Sequence, residues 1–519
     1  MHSTELVLGL FLAVAALVTA ARRLEIAYPI FLVMGGLILG FLPGVPRVYV
    51  DPQLLFVIVL PPLLYIAGYF TPVRGLRANL VTVSSLAVGL VIASAVAAAL
   101  VARCLIPGMP WAAAFVLGAI VAPPDAIAAT SIITRLDVPR QVVTVLEGES
   151  LLNDATALTM YSIGLAVAGG SVFSAGAAVG MFSVAMLGGI AVGIAVGWLV
   201  AQVRVRLEDT PVEMTISLLT PYAAYLPAER LGVSGVIATV AAGLYLGHRG
   251  SQIMGADARL TGRALWETLT FLLNGFVFII MGLEVPPLLS ALTWPRATGL
   301  IAVGVVVTVT LVLVRAGWIM LTVFLPQRRQ RGDALRCAVV LSWAGMRGVV
   351  SLAAALAVPL AFSGERFAAR DAIVIVTVTV IVATLLGQGL TLPWLIRRLG
   401  VGTDAGSRTE EEVRARERLL EAATKRLDEL YEVWPGHRPL LDQLRETFRH
   451  RSEHVERQRT PASDGAGDRE LIEHREIRRT IIDAEREALL RLQAEGDTNE
   501  ALLRELEREL DLEERRMDA

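Results

Sequence analysis

Lysine is absent from the first 400 residues of this 519-residue chain, and cysteine is almost absent from the whole. Charge of any kind is scarce. Only 18% of residues are Asp, Glu, Lys or Arg, against about a quarter in soluble domains. Two cysteines, Cys104 and Cys337, argue against a disulfide framework or a thiolate metal cluster and are expected as buried thiols. The six histidines show no ligand spacing, which argues against hydrolytic chemistry on a metal and against a bound cofactor. No glycine-rich nucleotide loop occurs in the charged C-terminal part, and its charges are mixed in sign. That pattern suits a solvated helical surface better than a nucleic-acid partner.

What remains is apolar: 54% hydrophobic residues and a mean hydropathy of +0.59. The charges that exist are unevenly placed. Residues 1–400 carry 25 Arg and 18 acids, a net +7, and residues 401–519 a net −9. This division predicts a membrane domain over 1–400 and a water-exposed cytoplasmic tail over 401–519. A run of about 20 apolar residues spans a bilayer as a helix. Thirteen stretches qualify: 5–22, 26–43, 52–70, 78–103, 111–132, 145–168, 174–203, 210–228, 231–248, 266–284, 297–325, 334–361 and 370–396. The least secure are 210–228 and 231–248, because Glu229 and Arg230 leave little room for a loop. The first stretch has its positive charges, Arg22 and Arg23, after it rather than before it. It therefore reads as a membrane helix and not as a signal peptide.

Arginine placement tests the count. With the N-terminus outside, 17 arginines fall in inner connections and 6 in outer ones, and an odd number of spans is needed to keep that bias. The expectation is a multi-pass plasma-membrane protein with an outside N-terminus and a cytoplasmic tail. Its fold class is all-α and polytopic, with about 13 spans. In the tail, Leu420, Ala423, Leu427 and Leu430 recur at helical spacing, as do Ile477, Ile481, Ala484 and Ala488, and then Leu503, Leu506 and Leu510. Residues 461–468 read as a flexible linker, and the tail as amphipathic helices packing on each other or on a partner subunit.

A charge at membrane depth costs about 2.5–3.5 kcal/mol on insertion scales, so the few that lie there point to an ion or proton path. Asp125, Glu149 and Asp154 fall clearly inside spans, with Glu147 near an inner end. Arg315 and Arg347 are their only basic counterparts. Two spans look broken. Pro123 and Pro124 precede Asp125 in the fifth, and Gly345 and Gly348 flank Arg347 in the twelfth. Paired interrupted helices are the sequence sign of an inverted-repeat transporter with its site at the midplane.

On a helix, Ser150 and Asp154 share one face, as do Glu149 and Asn153. Asp154 can be protonated or can hold a cation; Ser150 and Asp125 add oxygens beside it, which suits a small hard cation such as Na+ or Li+. Arg347 is expected to pair with Glu149 or Asp125, because an unpaired buried charge is expensive. For Arg315, which nothing nearby in sequence pairs, a structural role is at least as good a reading. Burial favours a neutral acid and a nearby arginine favours the carboxylate. An acid balanced between the two can trade a proton for Na+.

The segment from Gly148 through Glu149, Ser150, Asn153 and Asp154 to Thr156 resembles the sixth-helix signature of the monovalent cation:proton antiporters, in their NhaP-type bacterial branch. The segment Gly345–Gly348 is similar to that family's arginine motif, and Leu60–Tyr65 to its third-helix motif. The resemblance covers roughly residues 5–398. It implies Asn153-Asp154 as the exchange pair, and Ser150, Asp125 and the Pro124 carbonyl at the cation site. It also implies an ion pair between Glu149 and Arg347, a homodimer, and electroneutral alternating-access exchange. Two positions depart from the family pattern: Ile66 stands where many members carry a carboxylate, and Pro123-Pro124-Asp125 replaces a threonine-containing motif. Alternatives are K+/H+ exchange, a cation channel, or a sensor driven by the tail.

Overall fold

The structure, a computed structural model, describes residues 2–23, 28–42, 57–136, 138–172, 174–207, 209–290, 293–324, 331–362, 365–367, 369–401 and 405–459, with 480–485, 487–488, 491 and 510. The chain divides into two compact units, Met1–Thr403 and Asp404–Ala519.

The first unit is helical because its sequence leaves the backbone no other way to satisfy its polar groups in lipid. In chain order its elements are α1 (His2–Arg23), α2 (Tyr28–Phe41), α3 (Leu60–Phe70), the short α4 (Val73–Ala78) and α5 (Leu80–Leu105). The first broken helix follows as α6 (Trp111–Val121) and α7 (Ala126–Ile133). Next come α8 (Arg140–Ala168), α9 (Ala175–Arg204), α10 (Thr210–Arg230), α11 (Gly235–Ile253), α12 (Ala256–Ser290) and α13 (Trp294–Ile319). The second broken helix is α14 (Arg331–Trp343) with α15 (Val349–Leu356), and α16 (Arg370–Leu399) closes the unit.

Each of the thirteen apolar stretches contains helix. Among the described residues, seven helices are long and apolar enough by themselves to cross a membrane. The uncertain pair exists as two helices: α10 and α11 are separated by a tight turn in which Gly232 has φ +72°, a conformation glycine adopts without strain. Several bounds move outward, most of all in α12, which begins ten residues before the predicted start. The broken helices lie at the centre. α6 packs against α5, α8, α15 and α16, while α15 also packs on α16. Beside them, α3, α9, α10 and α11 pack on one another, and α12 lies along α2. Cys337 is half-buried, whereas Cys104, expected inside, is exposed near the end of α5; neither is in a disulfide.

In the second unit, α17 (Ala405–Val433) and α18 (Arg438–Arg459) pack together across a short turn. Leu427 is buried, and Leu420, Ala423 and Leu430 are half-buried around it, so the first predicted stripe is the packed face. The second stripe is corrected by one position: Ile482 is buried, while Ile481, Ala484 and Ala488 are exposed. Leu510 is half-buried. Ile477, Leu503, Leu506 and the segment 461–468 lie outside the described residues.

Candidate functional site: a carboxylate-lined cavity at two helix breaks

Pro123 and Pro124 end α6, since proline lacks the N–H that the next turn needs. The chain then resumes as α7 with Asp125 as its cap, accepting a bond from the Ile127 N–H at 2.8 Å. On the other broken helix, residues 344–348 are non-helical between α14 and α15. The two breaks touch. The Asp125 N–H donates to the Met346 carbonyl at 2.7 Å. A Cβ on Gly348 would stand 1.7 Å from Asp125 Oδ2, so only a glycine allows this crossing.

Broken helices expose the carbonyls of their last turns, and Arg347 takes them. Its Nε donates to the Val121 carbonyl at 3.0 Å and Nη2 to the Ala122 carbonyl at 3.3 Å, while Nη1 donates to the Gly345 carbonyl. Its own N–H is held by Thr384 Oγ1 of α16 at 3.1 Å. The arginine therefore sits at the negative ends of two half-helices, and Asp125 sits at the positive start of α7, as helix dipoles favour.

This arrangement corrects the expected pairing of Glu149. Its carboxylate is gripped by Arg315 of α13, through Nη1 at 2.5 Å and Nη2 at 2.8 Å, with both side chains 1% exposed. Arg315 Nε donates to the Leu341 carbonyl at 3.0 Å, completing its donors toward α14. Arg347 is occupied by carbonyls, and the planar fork of Arg315 matches the carboxylate. Arg315, for which the sequence offered no partner and a structural role was at least as good a reading, is thus the partner of Glu149. Only the fold brings the two together, across 166 positions.

The Asn153-Asp154 pair divides between two faces. Asn153 is fully buried, and its Nδ2 donates to the Pro124 carbonyl at 2.6 Å. It pins α8 to the first break. Asp154, 8% exposed, faces a cavity of about 520 Å3 that Ser150, Asp125 and Pro124 also line. Ser150 Oγ lies 3.5 Å from the Ala126 N–H. Ile66, at the position lacking a carboxylate, lines the same space. The cavity continues past Glu147, Thr130 and Thr134 to Glu267, and Thr134 and Glu267 are exposed. It is thus open at the end where α3 and α7 finish and α8 begins. Its lining among the described residues includes Asp125, Asp154, Glu147 and Glu267 but no Arg, Lys or His. Asp154 has no hydrogen bond or ion pair among the described residues. Sequence reading did not assign Thr384 or Asn274 to this region; both are ordinary polar residues inside apolar spans, and only their placement marks them. Among the described residues no group of His, Cys, Asp and Glu could hold a resident metal.

Chemically, the site offers an acid that can carry a proton or a cation, flanked by neutral oxygens, in a space open to one side. The comparisons with known proteins agree with that chemistry. The sequence profile described as sodium/hydrogen exchanger, transmembrane, matches residues 9–398. An uncharacterized Na(+)/H(+) exchanger of Mycobacterium tuberculosis is 35% identical, over 98% of this chain and 95% of that protein. The Na(+)/H(+) antiporter NhaS2 of Synechocystis is 32% identical, over 75% of this chain and 69% of that protein. A sodium, potassium, lithium and rubidium/H(+) antiporter of Bacillus subtilis is 31% identical, over 71% and 58%. The fold resembles that of the sodium proton antiporter MjNhaP1 from Methanocaldococcus jannaschii, with a TM-score of 0.60, 18% identity, and coverage of 77% of this chain and 99% of that one.

Proposed function

The chain belongs to the sodium/hydrogen exchanger family, and from that premise we propose that it exchanges Na+ for H+ one for one by competition at Asp154. The observation that carries this reading is the separation of charges. Arg315 and Arg347 are committed away from the cavity, to Glu149 and to backbone carbonyls. Asp154 is left facing open space beside Ser150 and Asp125. A bound proton and a bound Na+ each neutralise Asp154 by one charge. A carrier that moves with either one occupied transfers the same charge in both directions, so the cycle is electroneutral.

Alternating access in this reading moves the crossed half-helices, held as one piece by the Asp125–Met346 bond and the Arg347 contacts, relative to α3 and α12 on the other walls. The open end carries the connections rich in arginine, which the positive-inside rule assigns to the cytoplasm. The N-terminus then lies outside and residues 401–519 form the cytoplasmic part. A homodimer is proposed on the family resemblance. Lithium fits the same oxygen donors.

A second reading, K+ as an additional or preferred cation, is favoured by the similarity to relatives named for sodium, potassium, lithium and rubidium exchange. The test is the pH change in proteoliposomes on adding Na+, Li+ or K+, with wild type beside Asp154→Asn. The expected result is a cation-dependent change that the mutant lacks and that clamping the voltage leaves unaltered. Full activity in the mutant, or no response to any of the three ions, would reject the proposal.

A further inference from the structure

Glu147 is a carboxylate for which the exchange step above has no use. It lies one turn before Ser150 on α8, lines the cavity, and has no hydrogen bond or ion pair among the described residues. An unneutralised carboxylate at such a position is expensive to keep. A structural brace would be expected to have a basic partner, and among the described residues no base lines this space.

The cavity that Glu147 lines is apolar over most of its wall but carries several oxygens. Ser150 Oγ lies against the start of α7, and α8 climbs from the open end while α7 descends toward it. At 1.5 Å per residue, Glu147 falls about 4.5 Å below Ser150 and Thr130 about 6 Å below Ala126, so the two are nearly level. Thr130 Oγ1 spends its hydrogen on the Ala126 carbonyl at 2.9 Å. Thr134 Oγ1 does the same on the Thr130 carbonyl at 2.7 Å. With their hydrogens committed, both hydroxyls offer only lone pairs to the cavity. A third wall adds an independent sign. Asn274 of α12 lines the cavity while 1% exposed, and its Oδ1 is buried with no hydrogen-bond partner. A buried amide oxygen left without a donor forfeits the hydration it had in water unless something else in the cavity meets it.

We propose that Glu147, Thr130 and Asn274 form a second, outer station for a monovalent cation, occupied on the way between the open mouth and Asp154. The proposal rests on the antiport reading of the inner site. Carboxylate, hydroxyl and amide oxygens replace part of the ion's hydration shell there, before Ser150 and Asp154 replace more of it. Glu267 stands further out, exposed and paired with Arg263 at 2.9 Å, so it is a feature of the mouth and not of the station.

The test uses the full chain in proteoliposomes, with exchange measured for Na+ supplied at either face. Glu147→Gln is isosteric, and its folding is checked by the thermal unfolding temperature. Its KM for Na+ at the open, arginine-rich face should rise roughly tenfold, the scale of one charged contact, with much less effect on the maximal rate and none on KM at the opposite face. Glu147→Asp should recover most of the loss. Asn274→Ala should raise the same KM about threefold, the scale of one neutral contact. Equilibrium binding of radioactive sodium supplies a readout independent of transport: Asp154→Asn should retain a weak site that Asp154→Asn combined with Glu147→Gln lacks. An unchanged KM, or an equal rise at both faces, would overturn the outer station. If wild type exchanged no cation at all, the antiport reading would fail first. The binding measurement would then judge the station alone, and its absence in Asp154→Asn would overturn it.

Discussion

The two sides of α8 handle negative charge in opposite ways. On one side, Glu149 and Asn153 are sealed at 1% and 0% exposure: Glu149 is ion-paired to Arg315, and Asn153 Nδ2 donates to the Pro124 carbonyl, while Asn153 Oδ1 is buried without a partner among the described residues. On the other, Glu147 and Asp154 face a largely apolar cavity whose wall also carries acids and hydroxyls and, among the described residues, no base. Positions only a few residues apart on one helix thus form a fixed joint and, in the proposed mechanism, an exchangeable site. A buried carboxylate by itself does not identify an ion path; whether its counter-charge is built into the protein does. In the proposed exchange, that distinction puts Asp154 on the path and Glu149 outside it.

The sharpest way to break this comparison is to remove the exchangeable acid. Asp154→Asn keeps shape and folding, and it should abolish exchange at every cation concentration while leaving the thermal unfolding temperature within a few degrees. Residual cation-dependent pH change in that mutant would mean that another carboxylate carries the cycle. The opposite change attacks the joint. Arg315→Ala leaves Glu149 buried without a counter-charge and should cost about 3–5 kcal/mol of stability, read as a large fall in unfolding temperature. Replacing the pair together, Arg315→Met with Glu149→Leu, should recover most of that stability and preserve exchange. If the stable double mutant were inactive, Glu149 would belong to the transport chemistry after all.

Next in size is the crossing of the two breaks. Gly348→Ala would place a carbon 1.7 Å from Asp125 Oδ2, so the carboxyl must leave its cap on α7 or the breaks must separate. Exchange should fall by at least about tenfold, since one misplaced contact of about 1.4 kcal/mol already gives that factor. Gly387→Ala, where an added Cβ meets nothing within 4 Å, should leave exchange unchanged and serves as the control. Comparable losses in both would show general sensitivity of the helices to alanine and not a specific crossing.

How much of this was legible in the sequence follows from the range of each signal. The apolar stretches, the proline and glycine breaks, and the short inventory of intramembrane charges are local, and the helices appear where they predict. The Ser150 and Asp154 face is fixed by helical spacing and is the face that meets the cavity. The pairing of Glu149 was not legible, because two arginines were available and the choice depends on where α13 passes α8. Arg347 looked like the natural partner by virtue of its glycine break. Yet the two breaks together supply the carbonyls that occupy it, Gly345 from its own and Val121 and Ala122 from the end of α6. The tail shows the same limit in miniature. The spacing that favoured Ile481 fits a helix equally well with Ile482 inside, and only packing selects Ile482.

The smallest expected effect sharpens the comparison by carrying the same chemistry into water. In the tail unit, Arg445 of α18 pairs with Asp428 of α17 and lies over the Tyr431 ring at 4.4 Å, with the ion pair's side chains 51% and 56% exposed. The charges and donors are those of the Arg315–Glu149 joint. Here, however, water solvates either partner when the other is removed, and salt screens the attraction. Arg445→Ala should therefore lower stability by about 1 kcal/mol or less, part of it from the lost ring contact. The loss should shrink further in high salt, whereas the effect of Arg315→Ala should persist there because a buried pair is screened much less. Unfolding temperatures of both single mutants, measured at low and high ionic strength, check this directly. A salt-insensitive loss at Arg445 as large as that at Arg315 would show that desolvation is not what separates the two pairs, and the contrast between the faces of α8 would then need another cause.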